Sequence, residues 1–188
     1  MEVVLKQIED FADKAHGDQT RKYTDDRYIV HPERVMEMCR KYTISLPVLA
    51  AALLHDVLED TPVGESEILN FLSGVMNKEE ADATLQLVIE LTDVYTKPEY
   101  PQWNRRKRKA KESARIEQTS ADSQTIKYAD IIDNCREVAV KDPEFAGLFL
   151  YECKMLLKKI QKGNADLYTE AVETVDLCLK KVPRRFKR

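Results

Sequence analysis

The stretch Leu49-Ala50-Ala51-Ala52-Leu53-Leu54-His55-Asp56-Val57-Leu58-Glu59-Asp60 decides how the rest of this chain is read. It follows Ser45-Leu46-Pro47, where the proline suits the first turn of a helix. A helix apolar on most sides belongs in the middle of a bundle. The expected helix runs through His55 and Asp56 as far as Asp60, and Thr61-Pro62 ends it. An adjacent imidazole and carboxylate can reach one cation, and Glu59 and Asp60 overlook the same spot one turn on. Burying such groups unpaired costs several kcal/mol or more, and a divalent metal is a common way to offset it. An acidic C-terminal end also opposes the helix dipole, which favours cations there.

Outward from this segment, apolar residues recur at helical spacing almost throughout. Val4, Ile8, Phe11, Ala12 and Ala15 form a stripe that closes at Gly17, a C-terminal stop. A polar loop over 18–27 follows, and His31-Pro32 opens a second helix carrying Val35, Met38 and Cys39 inward. Further helices are expected over 65–72, 78–94, 103–119, 123–140, 144–162 and 165–181. The total is about eight or nine helices. The fold class is therefore all-α, a single-domain helical bundle over 1–182 with a basic tail over 183–188.

Composition narrows the function classes. At 188 residues the chain can bury one sizeable core, and only five glycines are present. The net charge of -3 gives no overall basic footprint, so nucleic acid is not an expected partner. Positive charge gathers locally at Arg105-Arg106-Lys107-Arg108-Lys109, read as a solvated face, and in the tail. Cys39, Cys135, Cys153 and Cys178 have no C-x-x-C spacing and fit reduced thiols in the cytoplasm. No apolar run approaches the ~20 residues that cross a bilayer.

The three histidines are His16, His31 and His55. Asp130 lies inside an apolar helix, where a carboxylate is otherwise awkward, and Asn134 follows it on the same face. His31, His55, Asp56 and Asp130 would form a mixed nitrogen and oxygen shell suited to manganese or another borderline divalent ion. His16 is read as a packed or supporting histidine, and Trp103 as a core anchor.

The order His31, His55-Asp56, Asp130 resembles the metal-binding pattern of HD-superfamily phosphohydrolases. Within that group the chain is similar to the hydrolase domain of RelA/SpoT homologues and the small stand-alone alarmone hydrolases. The matching text includes Ala15-His16-Gly17-Asp18-Gln19 with Arg21-Lys22, and Tyr28-Ile29-Val30-His31-Pro32. It continues through Ala51–Thr61, Glu90-Leu91-Thr92, and Lys127-Tyr128-Ala129-Asp130 with Asn134. The resemblance implies manganese-dependent hydrolysis of (p)ppGpp at its 3′ position, giving GDP or GTP and pyrophosphate. It also implies that His31, His55, Asp56 and Asp130 hold the metal, and that Glu59 and Asp60 form the catalytic acidic pair. Arg21, Lys22, Tyr28 and Asn134 would contact substrate, Arg21 by stacking on the guanine. The chain departs from the family pattern at 23–27 and at Ile131-Ile132-Asp133, which leaves the nucleotide open. The alternatives are an HD phosphohydrolase for another nucleotide and a non-catalytic alarmone sensor.

Overall fold

The computed structural model describes residues 1–183, so all of the basic tail expected over 183–188 except its first residue lies outside the described residues. Ten helices are present among them, with no strand beyond one isolated antiparallel bridge between Thr20 and Arg27. The all-α expectation holds. Among the described residues no helix is long and apolar enough to cross a membrane. The chain divides into two compact units, Met1–Thr92 and Asp93–Arg188.

In the first unit, α1 (Glu2–His16) buries Leu5, Ile8, Ala12 and His16, three or four residues apart, as one inward stripe. Gly17 ends it with φ at 58°, a left-handed conformation in which a side chain is disfavoured. The second helix, α2 (Val30–Arg40), begins with His31 and Pro32 buried. The central one, α3 (Leu46–Leu54), buries every residue from Val48 onward and packs against α1, α2 and α6 (Lys78–Leu91). Between them lie the single turn α4 (Val57–Asp60) and α5 (Glu65–Val75).

One expectation needs correction. The central helix does not run unbroken to Asp60; it stops at Leu54, and His55 and Asp56 form a turn before α4. The cause lies in the histidine. Its ring Nδ1 is 2.9 Å from the Ala52 carbonyl, and so competes for the acceptor that a continuing helix would offer to the Asp56 amide.

The second unit holds α7 (Arg105–Ile116), α8 (Ala121–Lys141), α9 (Pro143–Leu157) and α10 (Ala165–Lys181), with α8, α9 and α10 mutually packed. The α9 helix ends before the expected 162. Tyr128 in α8 draws out the following loop by donating to the Ile160 carbonyl at 3.0 Å and accepting from Gly163 N at 3.2 Å. Gln124 Oε1 takes the Lys162 amide as well.

The basic helix α7 is only partly a solvated face. Arg105 makes a two-pronged bond to Glu152, Lys109 pairs with Asp93 at 2.9 Å, and Arg115 pairs with the buried Glu112. Trp103 is half-buried, with the Tyr100 ring at 4.6 Å and the Lys107 ammonium over its face. It anchors the loop ahead of α7.

Candidate metal centre

Burial makes the candidate ligands of this site recognisable. His31 and His55 are 1% and 4% exposed, and an imidazole so enclosed needs partners. In the first unit His31, His55 and Asp56 each offer a ligand atom, and these atoms lie within 4.8 Å of one another. His31 Nε2 is 3.6 Å from Asp56 Oδ2, and His55 Nε2 is 3.2 Å from Asp56 Oδ1. The two rings meet edge-on at 5.1 Å.

The His55 tautomer follows from its backbone contact. A carbonyl only accepts, so Nδ1 carries the proton given to Ala52, and in the neutral imidazole Nε2 is the nitrogen left with a lone pair on the Asp56 side. That is the form a metal needs, its orientation fixed by the bond at the other nitrogen. Three donors of nitrogen and carboxylate type at this spacing fit a divalent cation with positions left for other ligands.

Tyr28 adds a feature that sequence reasoning did not foresee. Its hydroxyl is 2.8 Å from both Asp56 Oδ2 and Asp60 Oδ2 and donates between the two carboxylates. Burial, then the charges of Asp56 and Asp60 and the bonds to them, push its pKa well above the ordinary phenol value. Tyr28 thus stays a proton donor at every working pH. Its substrate-contacting role was expected from resemblance; here the hydroxyl ties a candidate ligand to one of the acidic pair.

Asp60 and Glu59 sit exposed on α4, beside this cluster in the chain. Arg21 is buried at 9% exposure with its guanidinium 5.4 Å from the centre of the Tyr28 ring. Lys22 is exposed and donates to the Tyr23 hydroxyl.

Asp130 belongs to the second unit. It is buried in the middle of α8, 2.8 Å from Lys127 Nζ, and accepts a short bond from Asn134 Nδ2. It lines a cavity of about 170 Å³ together with Lys127, Asn134, Arg105, Lys109 and Glu152. Arg105 and Lys109 of the basic segment therefore reach a chemically equipped hollow. Asp133, the unexpected carboxylate, is also buried in α8.

Comparison with known proteins defines the class. An HD-domain family model matches residues 9–149, and the chain belongs to the HD-domain family. Human MESH1, a guanosine-3′,5′-bis(diphosphate) 3′-pyrophosphohydrolase, is 33% identical over 144 residues, covering 74% of this chain and 72% of that protein. A Mycoplasma pneumoniae protein named as a probable enzyme of the same kind is 27% identical over 184 residues, covering 94% of this chain. The chain spans 24% of the length of that mycoplasmal relative. The solved structure of a metazoan SpoT ortholog that hydrolyzes ppGpp shares the fold, with a TM-score of 0.76, 23% identity and coverage of 95% and 94% of the two chains. The resemblance read from the motifs holds at the level of family and fold.

Proposed function

We propose that this chain removes the 3′-pyrophosphate of guanosine tetra- or pentaphosphate, yielding GDP or GTP and pyrophosphate. The observation that carries this reading is the convergence of His31, His55 and Asp56, with Asp60 tied to Asp56 through one tyrosine proton. The names of the human and mycoplasmal relatives support the substrate. In this reading the hydrolase domain covers 1–182, and Asp130 joins His31, His55 and Asp56 as a ligand to manganese(II). A bound divalent ion supplies Lewis acidity toward phosphoryl oxygen and acidifies water near neutral pH.

The chain's own residues do the rest. Glu59 and Asp60 take the proton of the attacking water and return it to the departing 3′ oxygen, so an O–P bond forms as the P–O3′ bond breaks. Tyr28 holds the Asp60 carboxylate beside Asp56. Arg21 offers a guanidinium plane to the guanine, Lys22 a cation to phosphate, and Asn134 a polar contact to the nucleoside. Arg105 and Lys109 line the cavity with Asp130, each paired with a carboxylate, Glu152 and Asp93, and would offer N–H donors to the pyrophosphate only by sharing them with those partners. The four buried free cysteines suit a reducing cytoplasm.

The test is a nucleotide panel with purified protein and manganese, following pyrophosphate against orthophosphate. Stoichiometric pyrophosphate from ppGpp is expected. Orthophosphate from nucleoside monophosphates would assign the chain to another HD activity, and binding without product would make it a sensor.

A further inference from the structure

His16, read from the sequence as a packed or supporting histidine, has no part in the function proposed above, yet it is 3% exposed at the end of α1. Its Nδ1 is 3.0 Å from Gln19 Oε1, and Gln19 Nε2 donates to the main-chain carbonyl of Asp60 at 2.8 Å. A carbonyl accepts only, so the amide NH₂ of Gln19 faces Asp60 and its oxygen faces His16. The proton of a neutral His16 is then on Nδ1. Among the described residues none accepts a hydrogen bond from Nε2, so no described partner calls for a proton there.

A second route links the same residues. The His16 ring stacks on Tyr28 at 4.3 Å and 22°, and the Tyr28 hydroxyl bonds Asp60 and Asp56. The backbone closes the arrangement: Gln19 N donates to His16 O at 3.1 Å, and Tyr28 N donates to Gln19 O at 3.0 Å. Meanwhile α4, which presents Asp60, is four residues long and opens into extended chain at Thr61. One isolated turn has little stability of its own. Its position must be held from outside.

We propose that His16, as its Nδ1–H tautomer, is a positioning residue that holds Asp60 in place through Gln19 on the main chain and through Tyr28 on the carboxylate. The proposal deepens the function above and rests on Asp60 serving in the acidic pair. His16 acts at one remove, and its substitution changes turnover through the placement of Asp60.

The experiment uses the full chain in three single variants and one double. His16→Phe keeps a stacking ring and loses the donor; His16→Asn keeps a donor near the Nδ1 position; Gln19→Leu cuts the link at an exposed residue. With ppGpp and manganese, His16→Phe and Gln19→Leu should each lower kcat roughly 10- to 100-fold, the scale of misplaced supporting contacts. KM and bound metal, by elemental analysis, should stay near wild type. The double His16→Phe/Gln19→Leu should be no slower than the slower single, and His16→Asn should recover much of kcat. Nitrogen-15 NMR of the metal-free protein should show the His16 proton on Nδ1. A proton on Nε2, unchanged kcat in Gln19→Leu, or additive losses in the double would overturn the proposal. Should His16→Phe fail to fold, Gln19→Leu and the NMR tautomer decide it alone. A wild type that leaves ppGpp intact sinks the proposed substrate instead, and the tautomer, measured without substrate, then decides the brace.

Discussion

The segment from α3 to α4 and the helix α8 face the same physical problem and solve it differently. Each must accommodate a carboxylate beside buried apolar residues of its own helix. The first breaks its helix at His55-Asp56 and gathers help from afar: His31 from α2, and Tyr28 and Gln19 from the loop before it. The second runs through 21 residues without interruption and compensates Asp130 from its own neighbours, Lys127 three residues before and Asn134 four residues after. A broken helix can aim two adjacent ligands at one point, whereas an intact one offers a single carboxylate at a fixed height. Local compensation also makes α8 self-sufficient without a metal, while the first unit leaves two histidines and a carboxylate crowded together.

The largest expected effect tests that asymmetry. His55→Ala should lose metal outright in elemental analysis and take activity with it. Asp130→Asn should keep its fold and retain some metal at reduced affinity. Retention of stoichiometric metal by His55→Ala would remove that histidine from the shell. Equal loss of fold and metal in both variants would erase the contrast between the two helices.

Next comes the acidic pair. Glu59→Gln should retain metal while turnover falls roughly 10²-fold or more, the usual upper scale for a lost proton-transfer group. Near-normal turnover would exclude Glu59 from the chemistry and leave Asp60, held by Tyr28, as the working carboxylate.

The two helices also differ in how much of them could be read beforehand. Six apolar residues before His55-Asp56 mark that pair as candidate ligands from sequence alone, because burial and charge collide there, whereas Glu59 and Asp60 just after them are exposed and are picked out only by resemblance. The break at Leu54 was not legible, since it depends on a side chain capturing a carbonyl of its own helix. Tyr28 was noticed through resemblance, but its shared proton depends on a contact 28 and 32 residues along the chain, which no local pattern reports. His16 and Gln19 carried one usable sign. They stand three residues apart across Gly17, which turns the chain at positive φ and brings their side chains together. For α8, the helix and its buried Asp130 were legible, whereas the loop after α9 was fixed by Tyr128 and Gln124 from another helix.

A smaller effect probes α8 away from any chemistry. A Cβ at Gly163 would stand 2.6 Å from the Tyr128 ring and 2.7 Å from the Thr125 amide, too close for either to accommodate freely. Gly163→Ala should therefore cost about 1–3 kcal/mol, the range for an overpacked core, and lower Tm by several degrees. Metal stoichiometry should not change, because the candidate ligands of the first unit are held by their own neighbours. A loss of bound metal in Gly163→Ala would show the loop after α9 to be coupled to the ligands, contrary to the contrast drawn above.

The smallest effect concerns Cys39, buried in α2, which packs against α3. Burial pushes its thiol from 9.0 up to about 12. The folded state thus keeps a proton that the unfolded chain begins to release near 9.0. The stabilisation is fully present below that value, and stability falls as pH rises toward about 12. The slope is on the order of 1 kcal/mol per pH unit in that window. Denaturant unfolding of wild type and Cys39→Val between pH 8 and about 10.5 should show wild type losing stability more steeply, the two curves diverging only above the ordinary thiol range. Parallel curves would mean that water reaches Cys39 and that the layer of α2 against α3 opens more readily than its burial implies. That outcome would also bear on the candidate metal centre, since α2 carries His31 and packs against α3, which leads into His55.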